Sequence, residues 1–305
     1  MMPIHVSPSR ANSGLALVAV MWIVAALSIL VTGLVATSRA DLRGVYNLRS
    51  VVEHTALGDG AITLAATSML AEPGSEATGQ FEFRIDDRQV RVDVLPASAF
   101  IDLNLASQDL LRDTLLFGAG LAEQDAEVLA ERIIDWRDPD DDALPNGAEL
   151  SAYEAAGSPF RPRNGPFESV DDLIQVLGVS LELHDKLRGL LTIHSDSAGV
   201  DASHAPPAVL AVLAAGHSDA VERVLSARLK NDPLIDMTGL TQQHLTTATG
   251  RRYRFDAWRQ DGNVRLSRVR WLDLARPAVM GVPWTELGAE PVVSERISSE
   301  APDGT

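Results

Sequence analysis

The sequence predicts an α+β protein in which a long N-terminal helix packs on a small antiparallel sheet, and a large α-helical insert interrupts that sheet. Three observations carry this: an uncharged apolar run whose helical pattern continues well beyond it, two pairs of alternating strands far apart in the chain, and a long helical stretch between them.

The apolar run covers Leu15 to Thr37, directly after Gly14 and a short polar leader holding one arginine, Arg10. As a helix rising about 1.5 Å per residue it reaches roughly 35 Å, enough to cross a hydrocarbon core of about 30 Å. A cleaved secretory signal has a shorter apolar body, about 7 to 15 residues, and needs no helix beyond it. Here the apolar stripe goes on through Leu42, Val45, Leu48 or Val52, Ala56, Ile62, Ala66 and Met69 without a proline. A retained anchor and a single helix to about Leu70 are expected, with Gly58 and Gly60 as its weak middle or a bend. His5 and Arg10 before the span against Arg39, Arg43 and Arg49 after it leave the orientation undecided by charge.

Next, Gln80 to Leu95 reads as a hairpin with Phe81, Phe83 and Ile85 on one side of the first strand and Val90, Val92 and Val94 on one side of the second, turning near Asp86 to Arg88. A second hairpin, Tyr253 to Trp258 and Val264 to Leu272, turns at Gln260 to Asn263, where Asp261 and Gly262 supply a turn dipeptide. Between them helices are expected over 110–116, 123–136, 170–177, 181–191, 207–214 and 219–229. A weak echo links Asp102, Asn104, Ala106 and Ser107 to Asp201, Ser203, Ala205 and Pro206, both at helix starts, with Asn104, Ser107 and Ser203 as candidate caps. Phe117 to Gly120 and Leu177 to Ser180 look like helix-hairpin-helix turns, whose backbone N–H groups can take a phosphate. The stretch from Pro277 to Thr305, with four prolines, reads as an extended or disordered tail with Trp284 as a possible dock.

Composition narrows the function classes. The chain has 305 residues, 46% hydrophobic and 22% charged, so it holds real cores. Its formal charge of -16 opposes phosphate backbones and anionic lipid surfaces, so the glycine turns read as tight helix packing; the one basic cluster is Arg251, Arg252 and Arg254. Zero cysteines exclude disulfides and thiolate metal sites. Gly216, Ser218 and Ala220 resemble a nucleophile elbow only in part, lacking the last glycine. The seven histidines show no paired spacing and most read as surface residues, and Asp135 with Glu149 has no evident cleft for acid and base work. No enzyme is expected.

The most chemical stretch follows the helix ending at Trp136. From Asp138 as position 1, Asp140 falls at 3, Asp142 at 5, the Leu144 carbonyl at 7, Asn146 at 9 and Glu149 at 12, the oxygen spacing of a Ca²⁺ loop. Ala143 stands where an EF-hand needs glycine and Pro145 removes a pairing N–H, so the expectation is a Ca²⁺-stabilised loop rather than an EF-hand. Acidic runs are ordinarily solvated, but clustered carboxylates at a helix C-terminus repel one another and oppose the helix dipole, which a cation relieves.

Together, Gly14 before an apolar helix starting Leu15, Ala16, Leu17, Val18; then Asp102 and Asn104; Ile134 through Asp140; Asn146 through Glu149; Tyr153; and Asn164, Pro166, Phe167 and Ser169 through Leu173 resemble the K-type minor pseudopilins of bacterial type II secretion systems. The resemblance implies a pilin-like fold carrying an inserted α-domain, in a single-pass inner-membrane protein with its bulk in the periplasm. It implies cleavage by prepilin peptidase after Gly14, methylation of the Leu15 amine, Ca²⁺ in the α-domain, and I-type and J-type minor pseudopilins as partners at the pseudopilus tip. Leu15, Ala19 and Trp22 then belong to the assembly helix. Ala19, fifth after the cleavage point, stands where most pilins carry a glutamate that neutralises a neighbour's terminal amine. A subunit at the end of a head-to-tail filament is free of one such contact.

The expected organisation is a leader over 1–14, a transmembrane helix over 15–38, an amphipathic helix and first hairpin over 39–99, the inserted α-domain over 100–245, the closing hairpin over 246–276 and the tail over 277–305. The alternative functions are a membrane-anchored helix-hairpin-helix DNA-binding protein and a periplasmic hydrolase. Hairpins flanked by Glu123, Asp125, Glu182 and Asp185 argue against nucleic acid.

Overall fold

The computed structural model describes residues 13–71, 79–230, 232, 234–248, 250–277 and 281–296, without the side chains of 13–16 and 33–48. The leader expected over 1–14 lies outside the described residues except for the helical backbone of Ser13 and Gly14. Helix α1 spans Ser13–Ala71, so the apolar run and the amphipathic stripe are one helix. The chain divides into two compact units, Met1–Ala56 and Leu57–Thr305.

In the first unit the described apolar side chains of residues 17–32 are all exposed, Leu17, Trp22 and Ile29 among them. Among the described residues no helix is long and apolar enough to cross a membrane.

The second unit holds a sheet in the order β1-β2-β5-β6-β7, with β8 also on β6. Strands β1 (Gly79–Ile85) and β2 (Arg88–Pro96) form the first hairpin. Its turn residues Asp86 and Asp87 take φ of 47° and 61°, the left-handed pair that a two-residue hairpin matched to strand twist requires and that aspartate tolerates. Strands β5 (Arg252–Asp261) and β6 (Val264–Asp273) form the second, turning at Gly262 and Asn263 with Gly262 at φ 60°. Phe255 lies opposite Val94 and Arg270 opposite Phe255, which brings distant parts of the sequence into one sheet.

Period-two alternation then sets the core. Val90, Val92, Val94, Tyr253, Phe255 and Leu272 bury one sheet face against Ala61, Ile62, Ala65, Ala66 and Met69 of α1. The alanines let the helix lie close. Gly58 goes further, because a Cβ there would sit 2.7 Å from the Cβ of Arg268 on β6. This glycine, expected as a weak point, marks the close crossing of helix and strand, beside which Arg268 donates to Asp59 at 2.9 Å.

Strands β7 (Thr285–Ala289) and β8 (Val293–Arg296) lie in the stretch expected as extended or disordered. It is extended but paired, both strands adding to β6, and Trp284 is buried in the helix-facing core. An open edge of β6 gives these residues backbone partners although their sequence has little apolar alternation.

Between β2 and β5 run β3 (Ile101–Asp102), α2 (Gln108–Asp113), a π turn (Thr114–Gly118), α3 (Glu123–Arg137), α4 (Leu150–Ala155), a 3-10 turn (Val170–Gln175), α5 (Leu181–Leu187), β4 (Leu191–Thr192), α6 (Pro207–Leu213) and α7 (Ser218–Leu229). Their core, from Ile101 to Leu240, is a separate apolar cluster from that under the sheet. Short helix α4 was not among the expected helices; one buried side chain, Tyr153, holds it. Parallel pairings close the two halves of this region: β3 with β4, and Val200 with Leu245.

Of the six described histidines only His217 is exposed, which corrects the expectation of surface histidines. His244 Nε2 pairs with Asp113 at 2.9 Å, whereas His184 lies 3.1 Å from Asp171 without a hydrogen bond at either ring nitrogen.

Candidate cation-binding loop

The acidic loop is held by a frame built from the motif residues around it. Trp136, 1% exposed, stacks on Phe167 with ring centroids 4.0 Å apart. Asn104 grips the Phe167 backbone from both sides: its Nδ2 donates to the Phe167 carbonyl at 3.0 Å and its Oδ1 accepts the Phe167 N–H at 2.7 Å. The Trp136 carbonyl accepts the N–H groups of Arg163 and Asn164, and the Tyr153 hydroxyl accepts the Leu177 N–H. Ser169 and Asp172 form a capping box on the 3-10 turn. Asn104 is therefore a side-chain tether rather than a helix cap, a position taken by Ser107, whose Oγ accepts the Leu110 N–H.

Within the frame α3 delivers two carboxylates one turn apart, Glu131 and Asp135, both buried. Asp135 accepts the Leu144 N–H at 3.2 Å, and a Cβ on Gly147 would lie 1.9 Å from its Oδ2, so only glycine fits there. Glu131 accepts the Asn146 N–H at 2.5 Å. On the other side Asn164 donates from Nδ2 to the Asp140 carbonyl and to Asp141, each at 2.8 Å.

Glu149 is the residue that this geometry leaves unanswered. It is 6% exposed, and neither carboxylate oxygen has a hydrogen-bond partner; Asp138 Oδ1 is buried and unpartnered as well. Burial, then the charges of Asp135, Asp138, Asp141 and Asp140, push the Glu149 carboxyl up to about 7. Burial and neighbouring carboxylates raise Asp138 and Asp135 likewise. Like charges held together at the edge of the core, with Asp135 and Glu149 buried and Asp140 and Asp141 exposed, are what a hard cation with oxygen ligands relieves.

Of the six expected ligands, Asp138, Asp140 and Glu149 share this neighbourhood. The other three do not come forward in the same way: Asp142 is exposed and its backbone N–H donates to Asp140 Oδ1, the Leu144 carbonyl accepts the Gly147 N–H at 3.0 Å, and Asn146 Nδ2 points at Glu131. Among the described residues no group of three or more His, Asp or Glu is placed to hold a metal ion as it stands. The donor set nonetheless fits Ca²⁺ by chemistry, all oxygen with buried oxygens unused. Glu131 and Asp135 act from α3 and Asn164 from a downstream loop, while Asp141 lies in the acidic loop at a position the spacing rule skips, so none of the four was picked out.

The other sequence-predicted positions are not part of this loop. Gly14 and Leu15 stand in the helical backbone at the start of α1, with side chains outside the described residues, and Ala19 and Trp22 are exposed on α1. Gly118 and Gly178 of the glycine turns sit in close packing: a Cβ on Gly118 would fall 2.5 Å from Leu190 Cδ1, and Gly178, at φ 98°, lies against Arg132, which donates to the Leu177 carbonyl. Ser218 is an exposed residue at the start of α7.

Residues 103–196 match the family described as type II secretion system (T2SS), protein K. Type II secretion system protein K of Pseudomonas aeruginosa PAO1 is 25% identical over 244 residues, covering 72% of this chain and 73% of that one. The solved GspK-GspI-GspJ complex of the type 2 secretion system of enterotoxigenic Escherichia coli contains a chain of similar fold, at a TM-score of 0.54 and 18% identity, covering 81% of this chain and 98% of that chain.

Proposed function

We propose, from the match of residues 103–196 to the protein K family of type II secretion, that this chain is a minor pseudopilin that caps the tip of the periplasmic pseudopilus and nucleates its assembly. The observation that carries the reading is the family match on the α-rich region, combined with a chain that leaves the sheet after β2 and returns to the neighbouring strand β5. A bulky region between adjacent strands obstructs subunits stacked above it, and Ala19 removes a membrane-level contact to a neighbour, so both fit an end position.

In this reading prepilin peptidase cuts after Gly14, the new Leu15 amine is methylated, and α1 first anchors the protein in the inner membrane through the run 15–37, then packs with the helices of I-type and J-type partners. The solved relative's complex with GspI and GspJ supports that choice of partners. The chain performs no catalysis and binds no nucleic acid; residues 101–245 hold 25 Asp and Glu against 10 Lys and Arg, the wrong sign for a phosphate backbone. Ca²⁺ supplies charge neutralisation in the acidic loop, with Asp138, Asp140 and Glu149 as its carboxylates.

Deleting 101–245 from the cellular protein tests the tip role: secretion lost, or pili of altered length, is the expected result, and normal secretion with normal pili refutes it. Mass analysis of the mature N-terminus tests processing; a Gly14 variant that is still cut and methylated at Leu15 refutes the assigned site. Added Ca²⁺ raises the melting temperature of the purified protein, and Asp140→Ala abolishes the gain. No response in the wild type refutes the cation.

A further inference from the structure

We propose that Glu131 is a positioning residue for the cation loop: it shapes the loop backbone without touching the ion, an inference that rests on the calcium reading above. Glu131 is 5% exposed, and both of its carboxylate oxygens are engaged. Oε2 accepts the Asn146 N–H at 2.5 Å, and Oε1 faces the Asn146 Nδ2 and the Gln108 Nε2, each at 3.4 Å. Glu149 is the opposite case, equally buried with both oxygens unused. Two buried glutamates in one neighbourhood thus divide the work, one spent on the loop's own donors and one left for a cation.

The mechanics follow from α3. Glu131 and Asp135 are four residues apart, hence on one face, and they take the N–H groups of Asn146 and Leu144 respectively. The intervening turn is closed by the Gly147 N–H on the Leu144 carbonyl, and Gly147 lies where no side chain can enter past Asp135. A loop pinned at alternate backbone positions by a helix arrives at its ion already shaped, and the cation then meets a smaller ordering cost. Groups of this kind behind metal ligands commonly govern affinity by 10- to 100-fold. Gln108 extends the support, since its Nε2 also donates to Glu127 at 3.0 Å, tying α2 to α3 at the same point.

The test is Ca²⁺ titration calorimetry on the full chain in detergent, with amide exchange at Asn146 measured in chelator. Glu131→Ala is expected to weaken Ca²⁺ affinity by about 10- to 100-fold at unchanged stoichiometry, and to speed Asn146 exchange in the ion-free protein. Glu131→Gln, which keeps an oxygen for the Asn146 N–H, recovers most of the affinity. Glu149→Gln abolishes measurable binding. Unchanged affinity and exchange in Glu131→Ala overturn the proposal alone; so does a loss of stoichiometry equal to that of Glu149→Gln, which would make Glu131 a ligand. A wild type that takes no Ca²⁺ overturns the calcium reading and this proposal with it, while a shared fall in thermal stability with unaltered affinity reduces Glu131 to a fold-stabilising role and also overturns it.

Discussion

Replacing Asp102 with asparagine should remove a pH dependence that this one carboxyl imposes on the fold. Asp102 is 2% exposed and sits at the turn into α2, where its Oδ1 accepts the N–H groups of Asn104 at 2.9 Å and Leu105 at 3.1 Å. Burial pushes its carboxyl up to about 6 from 3.8, against the opposing pull of those N–H groups and of Arg137. A raised carboxyl means that the folded chain binds the proton more tightly than the unfolded one, so stability is lost as pH rises from about 4 through about 6 and stays lost above that. The full shift corresponds to about 3 kcal/mol, of which about 2 kcal/mol falls between pH 4 and pH 7. Asparagine keeps the Oδ1 acceptor and never ionises. Urea unfolding of wild type and Asp102→Asn at pH 4 and pH 7 therefore gives a stability difference that moves by about 2 kcal/mol in favour of the variant on going to pH 7, or roughly 4 to 8 °C in melting temperature. Taking the difference between the two proteins cancels the other carboxylates. A difference that stays constant across the range, whatever its size, refutes the reasoning.

Three further substitutions probe the packing that positions the site. Gly58→Val places a branched side chain where Arg268 Cβ is 2.7 Å away, and is expected to cost about 1–3 kcal/mol in urea unfolding; an unchanged midpoint would show that helix and strand part freely. Asn104→Ala strips both hydrogen bonds from the Phe167 backbone and should cost about 1–3 kcal/mol, with loss of near-ultraviolet signal from the Trp136 stack; a silent spectrum contradicts the tether. Arg228→Lys exchanges a planar fork spanning the Ala202 and Ala205 carbonyls for a point charge, and a loss of about 1–2 kcal/mol is expected; a neutral result would assign those carbonyls to solvent.

Local rules made much of this fold legible in the sequence. Helix α1 and both hairpins follow from period and turn chemistry alone, because Phe81, Phe83, Val90, Val92 and Phe255 alternate and Asp86, Asp87 and Gly262 are suited to positive φ. Strands β7 and β8 were not legible, because their residues pair by backbone on β6 and bury few apolar side chains apart from Trp284 next to them. The acidic loop was visible as a run of oxygens, whereas its backing was not: Glu131 and Asp135 look like ordinary polar positions of an amphipathic helix until the loop folds back onto them.

The echo between Asp102 and Asp201 shows where sequence reading stops. Both aspartates accept an N–H two residues on, Asn104 and Ser203, and both carbonyls accept the N–H four residues on, Ala106 and Ala205, so the matching letters do encode one local turn twice. Each turn is then clamped by an arginine from the end of the second helix that follows, Arg137 on the carbonyls of Leu103 and Ala106, Arg228 on those of Ala202 and Ala205. These arginines stand at different distances from their aspartates because the intervening helices differ in length, so no fixed spacing reveals them. Only the first copy is followed by the long acidic loop: Asp138 comes directly after the clamping Arg137, and burial already depresses that guanidinium against the pull of Asp102 and Asp138. The clamp in the first copy therefore joins the turn at Asp102 to the start of the acidic loop, so amide exchange should speed up at both the 102–106 turn and the loop in an Arg137→Lys variant, and at neither in Arg228→Lys.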